Sequence, residues 1–261
     1  MKRAANVLLA LAALLICGAA SAGAVSNGDG DLIVTFEGGI SPQKLPRSVP
    51  EPVSVSVGGD IKSASGQVDL LPQLQRISVA INRQGRLYSR GLPVCHPVAI
   101  QPATPASARR ACGGAIVGSG HVDVRVRLPS QIPFNIRAKL LAFNGPVRNG
   151  RKLILAQVYA QDPPGAFILV FKVERKRGMF GTVMTTTLPP KTRSWAYLLH
   201  FDMTLRRIYG YGGRSRSFIS AACSAPAGFD QATFPFAEAT YSFADGRSLS
   251  LSEAETCQVS E

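Results

Sequence analysis

The sequence predicts an all-β fold, either an antiparallel β-sandwich or a barrel. Hydrophobic and polar residues alternate over Val53–Val57 and Val122–Leu128, which is the period of a strand with one buried face. Similar short segments recur to the end of the chain, and Asn149-Gly150 and Asp245-Gly246 stand between them as hairpin-type turns. The 25 glycines and 18 prolines allow many such turns but remain well below collagen-like levels.

The composition excludes several other classes of protein. Of the 261 residues, 46% are hydrophobic and 17% are charged, which excludes a disordered chain, and the sequence lacks the sustained heptads of a long coiled coil. Lys and Arg (29) exceed Asp and Glu (16), so the formal net charge is +13 at pH 7. A surplus of this size favours an anionic partner.

Residues 1–24 have the features of a signal peptide. Lys2 and Arg3 precede an apolar stretch from Val7 to Gly18, and Ala20-Ser21-Ala22 has the small residues that a signal peptidase accepts. The stretch is shorter than the roughly 20 residues of a membrane-spanning helix, and no later apolar run is long enough to be one. We therefore expect a secreted or extracellular, cell-envelope-associated protein whose mature chain has no transmembrane span.

The expected strands follow one another at short intervals. The first half of the mature chain has strand-like segments at Leu32–Phe36, Val53–Val57, Leu74–Ile81, Arg86–Tyr88 and Val122–Leu128. The second half continues with segments at 134–143, 152–160, 166–173, 179–187, 195–205, 215–221, 233–243 and 248–253. Leu74–Ile81 and Arg86–Tyr88 are expected to form a hairpin, whereas Pro93–Pro105 is excluded from the centre of a sheet because proline lacks a ladder donor.

The chain allows two domain arrangements. A boundary near Gly145-Pro146 would give an N-terminal β lobe with the Pro-rich loop (25–145) and a C-terminal antiparallel β lobe (146–261). The alternative is one continuous β structure, which all-β folds of this length can form. We prefer the two-lobe arrangement.

Four cysteines follow the leader: Cys95, Cys112, Cys223 and Cys257. An even number in an exported chain indicates disulfides, and three pairings are open. Proximity in sequence favours Cys95–Cys112 and Cys223–Cys257. A metal site is the rival interpretation, but the sequence has no CxxC or HxxxH spacing to support it.

Three turn regions, 148–152, 175–178 and 206–216, carry much of the positive charge. If the strands from 134 onward form a simple meander, successive turns alternate between two ends of the sheet, and these turns share one end with Asp245–Arg247. Arginine is the side chain best suited to bind phosphate or carboxylate groups in pairs of hydrogen bonds. The candidate ligand-binding residues are Arg151, Lys152, Arg175, Lys176, Arg177, Arg206, Arg207, Tyr209, Tyr211, Arg214 and Arg216.

The preferred interpretation is a non-enzymatic binding module for an anionic cell-wall polymer or for lipid head groups at a membrane surface. Nucleic acid is not expected as a partner, because the leader directs the protein away from it. One alternative is a β-barrel carrier, in which Leu153–Leu155 and Phe167–Phe171 line a site for a lipid or another apolar ligand. The same segments can equally fill a sandwich core.

A further alternative is a metal-dependent enzyme. His121 and Asp123 point from one face of a strand, and with His200 they have the order of a two-histidine–carboxylate iron site. They also continue into Arg125 and Arg127, as residues on any solvated strand face do. The sequence has no nucleotide-binding loop, hydrolase elbow or calcium loop, and no cofactor is expected.

Four segments carry a resemblance to known sequences: IVTFEGGISP (33–42), LLAFNG (140–145), GTV (181–183) and RSFISAACSAPAGF (216–229). Through them the chain resembles a family of uncharacterised exported β-rich proteins of high-GC, Gram-positive-type bacteria. The resemblance extends over nearly the whole mature chain. It implies export, and it implies no activity, cofactor or site residue.

Overall fold

The computed structural model describes residues 24–190 and 195–260. The expected signal peptide lies outside the described residues except for Ala24. The strands are β1 (Val25–Asp29), β2 (Leu32–Ser41), β3 (Lys44–Pro46), β4 (Glu51–Pro52), β5 (Ser54–Ser63), β6 (Leu74–Asn82), β7 (Arg86–Leu87), β8 (Ile116–Val126), β9 (Phe134–Arg148), β10 (Arg151–Gln161), β11 (Pro164–Arg175), β12 (Phe180–Thr187), β13 (Ala196–Leu205), β14 (Ile208–Tyr211), β15 (Arg214–Ser217), β16 (Ile219–Ala221), β17 (Gln231–Phe243) and β18 (Ser248–Ser260). The helices are α1 (Pro97–Ile100) and α2 (Pro105–Cys112), and 3-10 turns cover Val68–Leu70 and Gly113–Ala115.

In the described part of the chain, thirteen strands form one large curled sheet, which confirms the all-β prediction. Their order is β1-β2-β5-β13-β8-β9-β10-β11-β12-β6-β17-β18-β3, and every pair is antiparallel except β18 with β3. Strands from either side of residue 145 are interleaved in this order, and β9 runs through that position without a break. The expected boundary at 145/146 therefore does not divide the sheet into two.

The alternation in the sequence accounts for the strand faces. Along β18 every second residue from Leu249 to Cys257 is buried, and the residues between them are exposed or, at Thr256, partly exposed. This is the pattern expected of a strand with one face turned inward. The turn from β9 to β10 has φ values of 50° at Asn149 and 72° at Gly150, the left-handed conformation of a type I′ hairpin turn. The hairpin predicted at this Asn-Gly pair is thus confirmed.

One part of the interior is fully packed, and we call β1, β2, β17 and β18 the closed half. Leu32, Phe36 and Tyr241 have no exposed surface. The Tyr241 hydroxyl donates a hydrogen bond to the carbonyl of Thr35 at 3.1 Å, which satisfies the polar end of this buried ring. Gly38 is required here, because a Cβ at that position would lie 2.6 Å from the Phe236 ring.

The other part of the interior is less covered, and we call β8 to β13 the open half. β11 pairs with β12 only over Lys172–Arg175, so its earlier residues have β10 on one side and no ladder partner on the other in the described chain. β12 continues instead along β6, with Thr187 opposite Arg76. The sheet therefore splits between β11 and β12.

A small flap covers the outer face of β9 and β10. It contains α1 and α2 and is closed by the Cys95–Cys112 disulfide. The Gln157 side chain donates hydrogen bonds from β10 to the carbonyls of Ile100 (2.8 Å) and Ala103 (2.7 Å), which fix the flap on the sheet. The second disulfide joins Cys223 to Cys257 at the end of β18, so both expected pairings are confirmed.

Two sequence segments pair differently from expectation. β7 pairs with β16 and not with β6, because both edges of β6 are already occupied by β12 and β17. The segment 215–221 does not cross the sheet: Arg214–Ser217 closes a hairpin with β14, and Ile219–Ala221 joins β4 and β7. The prediction of a simple meander is wrong after β12, because β13 pairs with β5 and β8 and not with β12.

Candidate functional site

The predicted basic turns gather at one end of the sheet, which we call the basic end. At this end β9, β11 and β13 finish, and it includes the β9–β10 turn, the β11–β12 turn and the β14–β15 hairpin. Lys152 lies opposite Val173, Ile116 at the start of β8 lies opposite Phe143 near the end of β9, and the amide of Arg206 donates to the carbonyl of Val117 at 2.8 Å. The ends of β9, β11 and β13 are therefore on the same side of the sheet. The structure places here all the candidate residues: Arg151, Lys152, Arg175, Lys176, Arg177, Arg206, Arg207, Tyr209, Tyr211, Arg214 and Arg216.

The two tyrosines of this set hold the β14–β15 hairpin in place. The Tyr209 hydroxyl lies within hydrogen-bond distance of the carbonyls of Tyr88 (3.3 Å) and Arg90 (3.0 Å). The Tyr211 ring lies so close to the backbone that a Cβ at Gly91 would be 1.9 Å from its Cδ2. Their rings therefore have packing roles and are not free surfaces for a ligand.

Two arginines of the set are also engaged with the protein. Arg207 donates to the carbonyl of Gly114 at 3.3 Å, and the Arg216 guanidinium lies 5.6 Å from the centre of the Tyr88 ring. Arg206 and Arg214, in contrast, are exposed. The exposed arginines are the ones that can meet a partner without rearrangement.

The turn at Asp245–Arg247 lies at the opposite end of the sheet, contrary to expectation. β17 begins at the basic end and runs away from it, so Phe243 pairs with Leu74 at the far end. This follows from the segment 215–221, which stays at the basic end and does not return the chain across the sheet. Arg247 is removed from the basic cluster and pairs with Asp245 at 2.7 Å.

The charge on the basic end is mostly uncompensated. Within the described residues, the only ion pair of the candidate set joins Arg151 Nε to Glu174 Oε1 at 3.0 Å. Away from this end, pairing is more common: besides Arg247, Arg125 lies 3.3 Å from Asp69. In the described residues the cations of the candidate set therefore have few carboxylate partners, which favours an anionic ligand.

Lys152 differs from the other lysine of the set, Lys176, because its side chain is half-buried and Lys176 is exposed. Burial, followed by the nearby Arg175, lowers the pKa of the Lys152 amine. A hollow of about 520 Å³ opens beside it. The hollow is lined by Leu87, Gly150, Arg151, Lys152, Val173, Glu174, Arg175 and Thr182.

An apolar cleft occupies the interior of the open half. Its cavity volume is about 70 Å³, below the roughly 300–1,000 Å³ of preformed ligand sites. Many of its side chains remain partly exposed, among them Phe167, Leu169 and Phe171. The lining consists of Val57, Ile77, Val79, Val122, Val124, Leu140, Ile154, Val158, Phe167, Leu169, Phe171, Met184, Leu188, Ala196, Leu198, Phe201 and Met203.

The two histidines of the expected metal site both lie near Asp202, whereas Asp123 lies near Arg137. His200 lies opposite Asp123 on the neighbouring strand, but its Nδ1 is 3.0 Å from Asp60 Oδ1, and Asp123 Oδ1 is 3.7 Å from Arg137 Nε. His121 Nδ1 and His200 Nε2 each lie 3.7 Å from Oδ2 of Asp202, a carboxylate that was not part of the expected site. Over residues 24–190 and 195–260, no group of three or more His, Cys, Asp or Glu side chains is placed to hold a metal ion.

Asp60 is a site-like residue that sequence reasoning missed. Burial opposes its ionisation, but hydrogen bonds from Lys62, His200 and Thr35 outweigh this and lower the pKa of its carboxyl group. The pairing of β5 with β13, which puts His200 opposite Asp60, joins segments far apart in sequence. No local pattern could have revealed it.

Two inward carboxylates on β18 were also missed. Glu253 and Glu255 are buried, and Oε2 of Glu253 has no hydrogen-bond partner among the described residues. Burial, followed by the charges of Glu255 and Glu37, raises the pKa of Glu253. The alternation that turns Leu249 and Leu251 inward continues to these two glutamates and could have indicated them.

No protein-family model, curated protein or solved structure matches this chain. The resemblance to an exported bacterial family therefore stays a prediction. In the described ranges, none of the helices has the length and apolar character needed to cross a membrane.

Proposed function

We propose that the chain is a non-enzymatic binding module, secreted or associated with the cell envelope, that binds anionic polymers or lipid head groups through its basic end. The observation that supports this most directly is the gathering of separate basic turns at one end of the sheet, where the candidate set has a single ion pair in the described chain. The two disulfides are compatible with an oxidising compartment.

The turns are suited to this function because they are held rigidly. Asn149, Gly150, Gly212 and Gly213 have positive φ values, as in type I′ hairpin turns, so the neighbouring cations are presented on short, constrained loops. A partner then binds without first ordering a long segment, which reduces the entropic cost of association. Guanidinium groups on adjacent turns can bind several phosphates of one polymer.

The test compares two triple variants of equal charge change. Arg177→Ser/Arg206→Ser/Arg214→Ser removes three exposed cations of the basic end, and Arg76→Ser/Arg127→Ser/Arg137→Ser removes three exposed cations elsewhere on the sheet. Retention is measured as a function of salt on immobilised poly(glycerol phosphate) and on vesicles that contain phosphatidylglycerol.

We expect the basic-end variant to bind about tenfold more weakly, because three contacts of about 0.5 kcal/mol each amount to about 1.5 kcal/mol. The control variant should stay within about twofold of the wild type, since its arginines lie outside the proposed surface. Equal losses in both variants would mean that net charge alone governs binding, and the basic end would then have no special role.

A second candidate function, carriage of an apolar ligand, is favoured by the partly exposed side chains of the cleft. Leu169 points into the cleft, whereas Val170 on the same strand points outward and is 37% exposed. We expect Leu169→Asp to weaken binding of the neutral dye Nile red about tenfold or more, because a carboxylate would be desolvated in the site. Val170→Asp is the matched control and should leave dye binding unchanged; equal dye binding by both variants would reject this function.

A further inference from the structure

We propose that the open half binds a single-chain anionic amphiphile, with its head group between Lys152 and Arg175 and its apolar chain in the cleft. This deepens the function proposed above and rests on it, because the head group is bound by the basic end. The chemistry that defines the ligand is one acyl or alkyl chain ending in a carboxylate or a phosphate monoester. A polymer of glycerol phosphate has the anionic part alone and cannot use the cleft.

The cations and the cleft lie on one continuous inward face. Alternate residues of a strand share a face, so Lys152 is on the same side of β10 as Ile154 and Val158, both of which line the cleft. On β11, Arg175 is likewise on the side of Phe171, which is the cross-strand partner of Ile154. A strand rises about 3.3 Å per residue, so the stripe from Lys152 to Val158 runs for about 20 Å.

The polarity of this face changes sharply along its length. The hollow at the basic end has room for a head group, with a volume of about 520 Å³, and two of its lining cations face inward. Beyond it the lining of the cleft is entirely apolar, including Ile154, Phe171 and Met184. A ligand that satisfies both regions must be charged at one end and apolar over the rest.

The inward cations lack a counter-charge in the described residues. Glu174 also lines the hollow, but it forms its ion pair with Arg151 at 3.0 Å and with neither Lys152 nor Arg175. Lys152 is half-buried, and Arg175 is close enough to lower the pKa of its amine further. An anionic head group would relieve both the repulsion and the desolvation of Lys152.

The split in the sheet gives the apolar chain a way in. Among the described residues, those of β11 before Lys172 have no ladder partner on the β12 side, and Leu169 and Phe171 are partly exposed there. The cleft holds about 70 Å³ as it stands, so the ligand must move these side chains aside. Movement at an unpaired strand edge breaks no backbone hydrogen bonds to a neighbouring strand.

The experiment measures the affinity of the full mature chain for three probes by displacement of bound Nile red. Sodium palmitate and hexadecyl phosphate are used below their micelle concentrations, and 1-hexadecanol is used below its solubility limit. The test variant is Lys152→Met/Arg175→Gln. Its matched control, Lys139→Met/Arg76→Gln, removes the same charge from exposed positions outside the basic end. Retention on poly(glycerol phosphate) is measured in parallel for every variant.

We expect the test variant to lose about tenfold or more in affinity for palmitate and for hexadecyl phosphate, since a charged hydrogen bond is lost at each cation. Its affinity for 1-hexadecanol should change by less than about twofold, because the cleft is untouched. The control should bind all three amphiphiles as the wild type does. If the double variant does not fold, the single variant Lys152→Gln replaces it. We expect Lys152→Gln to lower the affinity for palmitate and hexadecyl phosphate as well, but by a smaller factor.

The outcomes separate this inference from the proposed function. Palmitate affinity that is the same in the wild type and the test variant, or lowered equally in the control, would overturn the inference. Retention of poly(glycerol phosphate) without any palmitate binding would also overturn it and leave the polymer-binding function intact. Palmitate binding that depends on Lys152 without polymer retention would reject polymer binding and retain the amphiphile site.

Discussion

The closed and the open half of the sheet have the same alternation in sequence but different interiors. Leu32 and Phe36 of the closed half have no exposed surface, whereas Phe167 and Phe171 of the open half remain partly exposed. In the closed half β1 and β2 lie against β18, with Asn27 donating to the carbonyl of Ser250 at 3.2 Å. Alternation thus determines which face turns inward, and strand pairing determines whether that face is covered.

The charged residues on the inward face are also covered in the closed half and accessible in the open half. Glu253 and Glu255 lie in the closed half and are buried, with exposed fractions of 4% and 6%. Lys152 and Arg175 lie in the open half and border a wide hollow. A buried carboxylate pair is a cost to the fold, whereas cations beside an open hollow can be neutralised by a ligand.

The largest difference in stability between the two halves is expected when a large side chain is removed from each. Phe36→Ala deletes a fully buried ring from the closed half and should lower the free energy of unfolding by about 3 to 5 kcal/mol. Phe167→Ala deletes a partly exposed ring and should lower it by about 1 kcal/mol. Urea denaturation of both variants measures these values, and equal losses would show that the open half is packed as tightly as the closed one.

The two disulfides provide the next test. Cys223–Cys257 closes 34 residues and holds the last strand of the closed half, so Cys223→Ser/Cys257→Ser should lower the free energy of unfolding by about 4 kcal/mol. Cys95–Cys112 closes 17 residues within the flap on the outer face of the open half. Its removal should cost about 3 kcal/mol by the same loop-closure argument.

The location of the flap disulfide also predicts which residues become more mobile when it is removed. Because the flap lies outside the sheet, Cys95→Ser/Cys112→Ser should keep the far-ultraviolet circular dichroism of the wild type and raise hydrogen exchange only in 95–112. If exchange rose equally in β17 and β18, the flap and the closed half would unfold as one unit, and the distinction drawn here would fail.

Much of the fold could be predicted from local pattern. The alternation placed nearly every long strand, and the Asn149-Gly150 pair located a hairpin because it fits a type I′ turn. The disulfides could be paired from proximity, since each joins cysteines that are neighbours along the sequence. These features depend on residues close together in the chain.

The remainder depends on long-range pairing, which local pattern does not encode. The position of β13 between β5 and β8 brings His200 to Asp60, and the pairing of β6 with β17 reverses the expected position of Arg247. At the candidate site, the basic turns could be predicted, but the inward direction of Lys152 and the split between β11 and β12 required the strand order.

A smaller effect is expected from the buried carboxylates of the closed half. Burial raises the pKa of Glu253 above its ordinary value near 4.5, and the neighbouring Glu255 and Glu37 raise it further. A raised pKa means that folding favours the protonated form. The associated stability is therefore fully present below pH 4.5 and is lost as the pH rises through the folded-state value.

Glu253→Gln should consequently raise the free energy of unfolding by about 1 kcal/mol at pH 7 and change it little at pH 4. Urea denaturation at both pH values measures this, and Glu255 retains its own dependence on pH in the variant. Glu238→Gln on the adjacent strand is the control with the same change of charge. A profile for Glu253→Gln that parallels the wild type would show that Glu253 does not titrate with folding.

The smallest expected effect concerns the Arg151–Glu174 pair of the open half. Both side chains are more than a third exposed, so Glu174→Gln should change the free energy of unfolding by less than about 1 kcal/mol. The substitution removes the carboxylate that pairs with Arg151 and so raises the net charge of the basic end by one unit. Retention on poly(glycerol phosphate) should therefore increase about twofold at low salt. Asp69→Asn, which frees Arg125 away from the basic end, should have no such effect. An equal increase in both variants would mean that the basic end attracts anions only through the net charge of the whole molecule, and a carboxylate in the open half would then matter no more than one elsewhere.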